Sequence, residues 1–594
     1  MNGGEIFCTV YRVSHSCGHE RTETIGTLGK NREETIAQLR ENPDVSVLIV
    51  GAGINGASVF RELALHGFDA LIVDRGDFAC GTTAAPSRMI HAGLRYLEFG
   101  EKKLVSEGVH ERNLLLQNCP HYIFPLPTTI PYQSKFEGMM GVIRKTIGLS
   151  PGKRSKRRGK CMIGVGLRMY DQFAEHNRQM PKHYFTSQTE AFERRPGLHP
   201  DTIGTATYYD GWISYPERLC MEVISDAEAA CDTARALNYV SAKSTRGDTV
   251  TLRDEIGGQD IEVRPKVVVN AAGAWIDFAN ENLGHPSKLI SGTKGAHLVL
   301  ENDELMKALD GEMLFYETPD GRAVVALPWL GKPLIGSTDI HVDNPDDARC
   351  DEEEIDYMIG CLKHLLPDVT VDRSQILSTF SGVRPLMAAS AETTGQMSRS
   401  HFTDISEPTE TANFPVFSLV GGKWTPFRAF GEQAMDKLLE HFEAERKVCT
   451  ESIPVGGGKD FPRTDLDRNQ WIDAVAQTTG LDANRLDTLL VRYGTVARQV
   501  AEFCVAGEDT LLNNHPSYTR REIEYMIRNE RVLHMDDLLL RRTAIALLGE
   551  LTSELLDELL GIFAAIAQLS DEQAAAERKR TTDILRDRHH VDVS

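Results

Sequence analysis

The stretch "VSVLIVGAGINGASVFRELALHGFDALIVDRGD" (Val45–Asp77) decides how the rest of the chain is read. "VSVLIV" is a short apolar, β-branched run, the composition of a parallel strand buried on both faces. Gly51, Gly53 and Gly56 follow at once as G-x-G-x-x-G. "ASVFRELALHG" has helical spacing and closes on Gly67, and "DALIVDRGD" supplies a second strand ending at Asp74. In such a unit the first glycine makes the tight turn. The second lets backbone approach a pyrophosphate, and the third lets the helix pack close to the strand. The free N–H groups of the helix start then face phosphate, and Asp74 accepts hydrogen bonds from ribose hydroxyls. Strand, glycines, helix, strand and acid in register predict a dinucleotide site. Gly51, Gly53, Ile54, Asn55, Gly56 and Asp74 are its cofactor-binding candidates.

The motif alone does not separate NAD from FAD. Two later segments bear on that choice. "KVVVNAAGAW" (Lys266–Trp275) is another strand ending in small residues, with Ala272 and Gly273 as candidates. "FSLVGGKWTPF" (Phe417–Phe427) repeats the pattern, with Gly422, Lys423 and Thr425. A nucleotide domain assembled from three separated stretches suits a long, tightly held dinucleotide such as FAD.

The bulk numbers set the frame. A chain of 594 residues is too long for one core, so two or three lobes are expected. The formal charge of -21 argues against a nucleic-acid partner. Eleven scattered cysteines suggest no disulfide framework and point to a reducing, cytoplasmic setting. No apolar run approaches the ~18 residues of a membrane span, and no signal-peptide pattern is seen at the start. Residues 1–44 read as a loosely attached extension. Cys8, His15, Cys17 and His19 fit no standard zinc module there, so no metal is expected.

Further motifs occur in order: "IHAGLRYLE" (90–98), "DGRAVVALPW" (320–329), "IGSTD" (335–339), "SGVRPL" (381–386), "SRSH" (398–401) and "GGKWT" (421–425). With "GAGINGA" (51–57) they make the chain resemble FAD-dependent glycerol-3-phosphate dehydrogenases, within the D-amino-acid-oxidase-like flavoproteins. The resemblance implies oxidation of sn-glycerol 3-phosphate to dihydroxyacetone phosphate, with electrons passed on to quinone or another acceptor. Oxidising a secondary alcohol removes a hydride from carbon, which a flavin accepts, and a proton from oxygen. His91 is the candidate for the proton, since histidine titrates near ~6.5. Arginines are the natural bidentate partners of phosphate. Arg95 and Arg384 are placed with His91 as catalytic, and Tyr96, Arg322, Arg399 and Lys423 as substrate-binding. If "IHAGLRY" is helical, His91 and Arg95 share a face. By the same resemblance, Thr82, Thr83 and Ser87 in "CGTTAAPSR" are hydroxyls around FAD.

Departures from the family leave other substrates open. "YYDGWISYPERL" (Tyr208–Leu219) keeps Asp210, Arg218 and Leu219 but has Tyr215-Pro216 for an acidic pair. Arg88 stands for a lysine, and Pro426 for a threonine. A different polyol phosphate such as erythritol phosphate, or an amino acid, are the alternative substrates on this scaffold. A non-enzymatic dinucleotide-binding protein would have no use for the His91–Arg95 stretch. A tract from Arg144 to Lys160 holds eight lysines and arginines and no acid, between apolar "GMMGVI" and "CMIGVGL". It reads either as a solvated loop or as a peripheral contact with the inner membrane surface.

The expected architecture is α/β, α+β overall. A discontinuous Rossmann-like FAD-binding domain (about 45–120, 205–285 and 380–445) interleaves with a substrate domain of mixed or antiparallel sheet (about 121–204 and 286–379). An all-helical domain follows over 454–594. "LDANRLDTLLVRYGTVARQVAEF", "TRREIEYMIRNE" and "DDLLLRRTAIALL" carry its apolar periodicity. No catalytic constellation is expected there, only packing, partner docking or homodimer contacts, and Asp571–Arg588 reads as a fraying surface helix.

Overall fold

The computed structural model describes residues 30–94, 97, 101–137, 159–175, 178–318, 322–388 and 401–593. Residues 1–29, Arg95, Tyr96, Arg399 and nearly all of the basic tract lie outside these.

The opening stretch forms the strand Asp44–Val50, the helix Ile54–Leu65 and the strand Ala70–Val73. The first strand is the centre of a sheet ordered Phe402–Ser406, Val416–Val420, Asp260–Asn270, Asp44–Val50, Ala70–Val73, Ala234–Leu237. All neighbours pair in parallel except the Phe402–Ser406 edge. Central strands of such a sheet are covered on both faces, which is why "VSVLIV" and "KVVVN" are continuous apolar runs. The helix Ile54–Leu65 packs against Pro216–Ala230 and Phe427–His441, and every residue from Gly56 to Ala64 is buried. The glycine spacing is enforced sterically. Gly51 has φ +106°, and a Cβ there would lie 2.6 Å from the Ala271 carbonyl oxygen. A Cβ on Gly56 would lie 2.0 Å from the Gly51 carbonyl oxygen, so the third glycine lets the helix close on the turn itself.

A second, ten-stranded sheet is mixed, mostly antiparallel. Met313–Glu317 and Ile123–Tyr132 pair in parallel, whereas Ile290–Leu300 pairs antiparallel with Ile376–Met387 along nearly its whole length. Strand membership corrects the sequence boundaries. Met89–Ile90, Gly204–Ile213 and Ile376–Met387 belong to this sheet, not to the nucleotide sheet. Glycine and proline are scattered through these connections (Gly76, Gly81 and Pro86 before Met89, Pro216 after Ile213), so composition does not single out the crossing. A second correction concerns "IHAGLRY". Met89–Ile90 is an edge strand paired with Trp212–Gly211, and His91 follows it in a loop rather than on a helix.

The C-terminal region is helical from Asp465–Thr479 to Asp571–His589. Its core is continuous with the second sheet: Leu489, Val500, Leu539 and Leu556 share one buried cluster with Leu126, Trp329 and Phe380. The last helix does not fray at its end. Thr581 and Leu585 are buried. Among the described residues no helix is long and apolar enough to cross a membrane. The nine described cysteines are free thiols.

Candidate active site

One large cavity, about 1340 Å³, runs between the two sheets. At the nucleotide sheet it is lined by Gly51, Gly53, Ile54, Asn55, Asp74, Ala272 and Gly273. Clefts outside the carboxyl ends of parallel strands are where such folds bind ligands. Gly53 is the N-cap of the helix and has no side chain to cap it. Asp74 accepts hydrogen bonds from the Ala52 N–H at 2.8 Å and the Gly76 N–H at 3.0 Å. Burial nevertheless pushes its carboxyl up to about 6. A group that donates hydrogen bonds to this carboxylate, as ribose hydroxyls do, relieves that cost.

The connecting segment is pinned from several sides. Thr83 Oγ1 accepts from the Ile54 N–H at 3.0 Å, and Thr82 Oγ1 donates to the Val383 carbonyl at 2.7 Å. Trp424 Nε1 donates to the Thr83 carbonyl at 3.0 Å, and Thr425 Oγ1 to the His91 carbonyl at 2.9 Å. Thus "CGTTAAPSR", "IHAGL" and "GGKWT" become one surface, on which Ser87, His91, Gly422, Lys423 and Thr425 line the cavity. Behind His91, Tyr170 and Arg112 both donate to the buried Asp210, at 2.5 and 2.9 Å. The retained Asp210 therefore supports the loop rather than facing the cavity.

The second sheet brings Arg384 and His297. The Arg384 guanidinium donates to Ser337 Oγ at 2.8 Å, and lies 3.2 Å from the Thr338 carbonyl and 3.3 Å from Asp339. "IGSTD" is thus the seat of this arginine. Gly295 makes room for it: a Cβ there would sit 2.2 Å from Arg384 Nη2. His297 is fully buried, stacks on Phe380 at 4.8 Å and shares a 2.7 Å hydrogen bond with Ser87 Oγ. Burial, then the charges of Arg384 and Arg88, push its imidazole down to about 3. It is neutral at physiological pH and a poor base. Sequence reasoning missed it, although a lone histidine in the strand "GTKGAHLVL" was the available signal.

Other placements differ from expectation. Arg322 does not line the cavity; its guanidinium lies 5.4 Å from the centre of the Tyr357 ring. Gly56 acts through packing and is not a lining residue. Arg95, Tyr96 and Arg399 lie outside the described residues. Two departures noted in the sequence meet in space. Arg88, fully buried, donates to Glu217 at 2.8 Å and lies 4.5 Å over the Trp329 ring. Glu217, the partner of Arg88, directly follows Tyr215-Pro216.

The cavity suits a dinucleotide in detail. Asn55 Oδ1 is buried beside the helix start with no hydrogen-bond partner, an acceptor awaiting a donor. A Cβ at Gly53 would intrude to 3.0 Å from Thr83 Oγ1 at the floor of the turn.

Comparison with known proteins agrees. Residues 46–408 match the family model of DAO, FAD dependent oxidoreductase, and residues 448–574 that of the C-terminal domain of alpha-glycerophosphate oxidase. The chain belongs to the DAO family of FAD-dependent oxidoreductases, and is a flavoenzyme with FAD as its cofactor. A glycerol-3-phosphate dehydrogenase of Synechocystis is 29% identical over 85% of this chain and 90% of its own length. An aerobic glycerol-3-phosphate dehydrogenase of Staphylococcus haemolyticus is 27% identical over 86% and 88%. A solved glycerol-3-phosphate dehydrogenase from Bacillus halodurans, complexed with FAD, superposes with a TM-score of 0.72 at 20% identity. It covers 94% of this chain and 98% of that one.

Proposed function

We propose that this flavoenzyme oxidises sn-glycerol 3-phosphate to dihydroxyacetone phosphate. The observation that carries the reading is Arg384, a guanidinium seated by Ser337 and Asp339 at the wall of the dinucleotide cavity, with Lys423 and His91 on the same cavity. Two permanent or near-permanent cations suit a dianionic phosphate. The names of the relatives above support the same substrate.

Gly51, Gly53, Ile54 and Asn55 would hold the pyrophosphate side of FAD, and Asp74 the ribose. Thr82, Thr83, Ser87, Ala272, Gly273, Gly422 and Thr425 line the rest of its path. Bound FAD supplies a two-electron acceptor for the hydride. Arg384 and Lys423 orient the substrate through its phosphate, and Arg95, Tyr96 and Arg399 are assigned to the same task on sequence alone. His91 takes the hydroxyl proton. It is solvent-exposed on the cavity, whereas His297 holds a proton only near pH 3 and is mismatched to that step. His297 instead offers a neutral imidazole to orient the hydroxyl.

Electrons then leave to a quinone or another acceptor. For a peripheral membrane position on the inner face, the supporting observations are the basic tract of 144–160 and apolar side chains flanking it, Phe136 (65% exposed) and Val165 (58%). Unchanged liposome binding on deleting 144–160 would remove that part. A homodimer is proposed through the helical domain. The test of the whole is turnover: Arg384→Ala and His91→Ala should keep FAD and lose glycerol-3-phosphate oxidation. Full turnover in both variants would sink the assignment.

A further inference from the structure

The C-terminal domain reaches the cavity. Its Arg541, Arg580, Ile584 and Arg588 are lining residues, although nothing in their sequence resembles a cofactor motif. The contact is built, not incidental. Asp77, three residues beyond the ribose acid, is fully buried and receives Arg541 Nε and both terminal nitrogens of Arg542. Asn238 Nδ2 donates to the same Asp77 at 3.0 Å, and Tyr239 donates to Asp537 at 2.6 Å. Asp74 and Val240 are joined directly, the Val240 N–H donating to the Asp74 carbonyl at 2.7 Å. Both strand ends that frame the ribose acid are therefore clamped by the "DDLLLRR" segment.

The last helix, Asp571–His589, extends this clamp. Arg580 donates to Asp536 at 2.6 Å, which also accepts from Arg541 at 2.7 Å. Near the end of the helix, Arg588 acts on Asp346 through its charge. Burial raises the Asp346 carboxyl, but Arg75, Trp275 and Arg588 outweigh it and hold it below its ordinary value. Arg75 is itself adjacent to Asp74 and pairs with Asp346. Beyond Arg588, His589 Nδ1 and the Thr379 carbonyl share a 3.0 Å hydrogen bond on the strand that carries Arg384.

We propose that the C-terminal domain forms a wall of the FAD site, with Arg580 and Arg588 facing the adenosine half of the dinucleotide. This rests on the FAD reading above. The chemistry fits: an adenosine diphosphate moiety is anionic and planar-ended, and guanidinium groups both pair with its charge and stack on its ring. A clamp on the strand ends and a wall on the ligand make FAD binding and docking of the C-terminal domain stabilise one another.

The test is FAD titration of the full-length apoprotein, read by quenching of flavin fluorescence. Arg588→Ala and Arg580→Gln should each weaken FAD binding by about tenfold, the effect of one charge-assisted contact. Arg588→Lys should recover part of the loss, and Arg586→Ala, on the opposite face of the helix from Arg580, Ile584 and Arg588, should change nothing. Arg588 is exposed, so its replacement leaves folding intact even where the Arg580 variant does not. Affinity within twofold of wild type in Arg588→Ala and Arg580→Gln would overturn the inference while leaving the FAD reading standing. An equal loss in Arg586→Ala would also overturn it. Wild-type protein without FAD affinity would bring down both.

Discussion

Replacing Gly295 with alanine separates folding from substrate recognition. The added Cβ would lie 2.2 Å from Nη2 and 2.7 Å from Cζ of Arg384. Those atoms are the far end of a flexible side chain, so the backbone need not move; the guanidinium must. It then leaves Ser337 Oγ, now 2.8 Å away, and the substrate position with it. A hydrogen bond from a charged donor contributes roughly 1.5–3 kcal/mol. Loss of the phosphate contact alone, at about 3 kcal/mol, lowers kcat/KM by roughly 100-fold. The assay is steady-state oxidation of sn-glycerol 3-phosphate, with FAD content and melting temperature measured on the same sample. The expected pattern is normal FAD content, nearly normal melting and a collapse in kcat/KM dominated by KM. A variant with normal FAD content and kcat/KM within threefold of wild type would refute the assignment of Arg384 to the phosphate.

Further outcomes follow from other geometry. Gly56→Ala drives a Cβ to 2.0 Å from a backbone oxygen, so the purified protein should be colourless, as its visible spectrum will show. Asp74 sits at about 6 in the free protein, and FAD favours its charged form; FAD affinity should therefore rise as pH climbs towards 6 and level off above it. Titrations across pH 5–8 check this, and an affinity that falls over that range contradicts the ribose role. Arg542→Met leaves buried Asp77 with one arginine fewer and should cost about 3–5 kcal/mol in urea unfolding. Arg322→Ala, off the cavity, should leave KM within twofold of wild type.

Much of the nucleotide half was legible because its constraints are local. Gly51, Gly53, Gly56 and Asp74 are separated by one helix, and each answers to a backbone requirement that few other residues meet. Arg384 was legible through its motif, but its seat was not, because Ser337 and Asp339 follow a strand on the far side of Ile290–Leu300. His297 and Gly295 were hidden for the same reason: strand pairing decides what they face. Arg322, placed among the substrate-binding candidates by sequence, lies against Tyr357. The clearest failure was the C-terminal helix. Its charged composition suggested a frayed surface element, yet Arg580 and Arg588 reach the cavity because the domain docks on Asp77. Periodicity reports which face of a helix is apolar and is silent on what its charged face meets.

The proposed site sets His91, Arg384 and Lys423 to work on a phosphorylated alcohol beside FAD. Anaerobic mixing of the purified yellow protein with sn-glycerol 3-phosphate tests it most directly. The flavin should bleach in wild type, and the Arg384→Ala protein, equally yellow, should not. A wild-type protein that holds FAD and stays yellow with this substrate would contradict it.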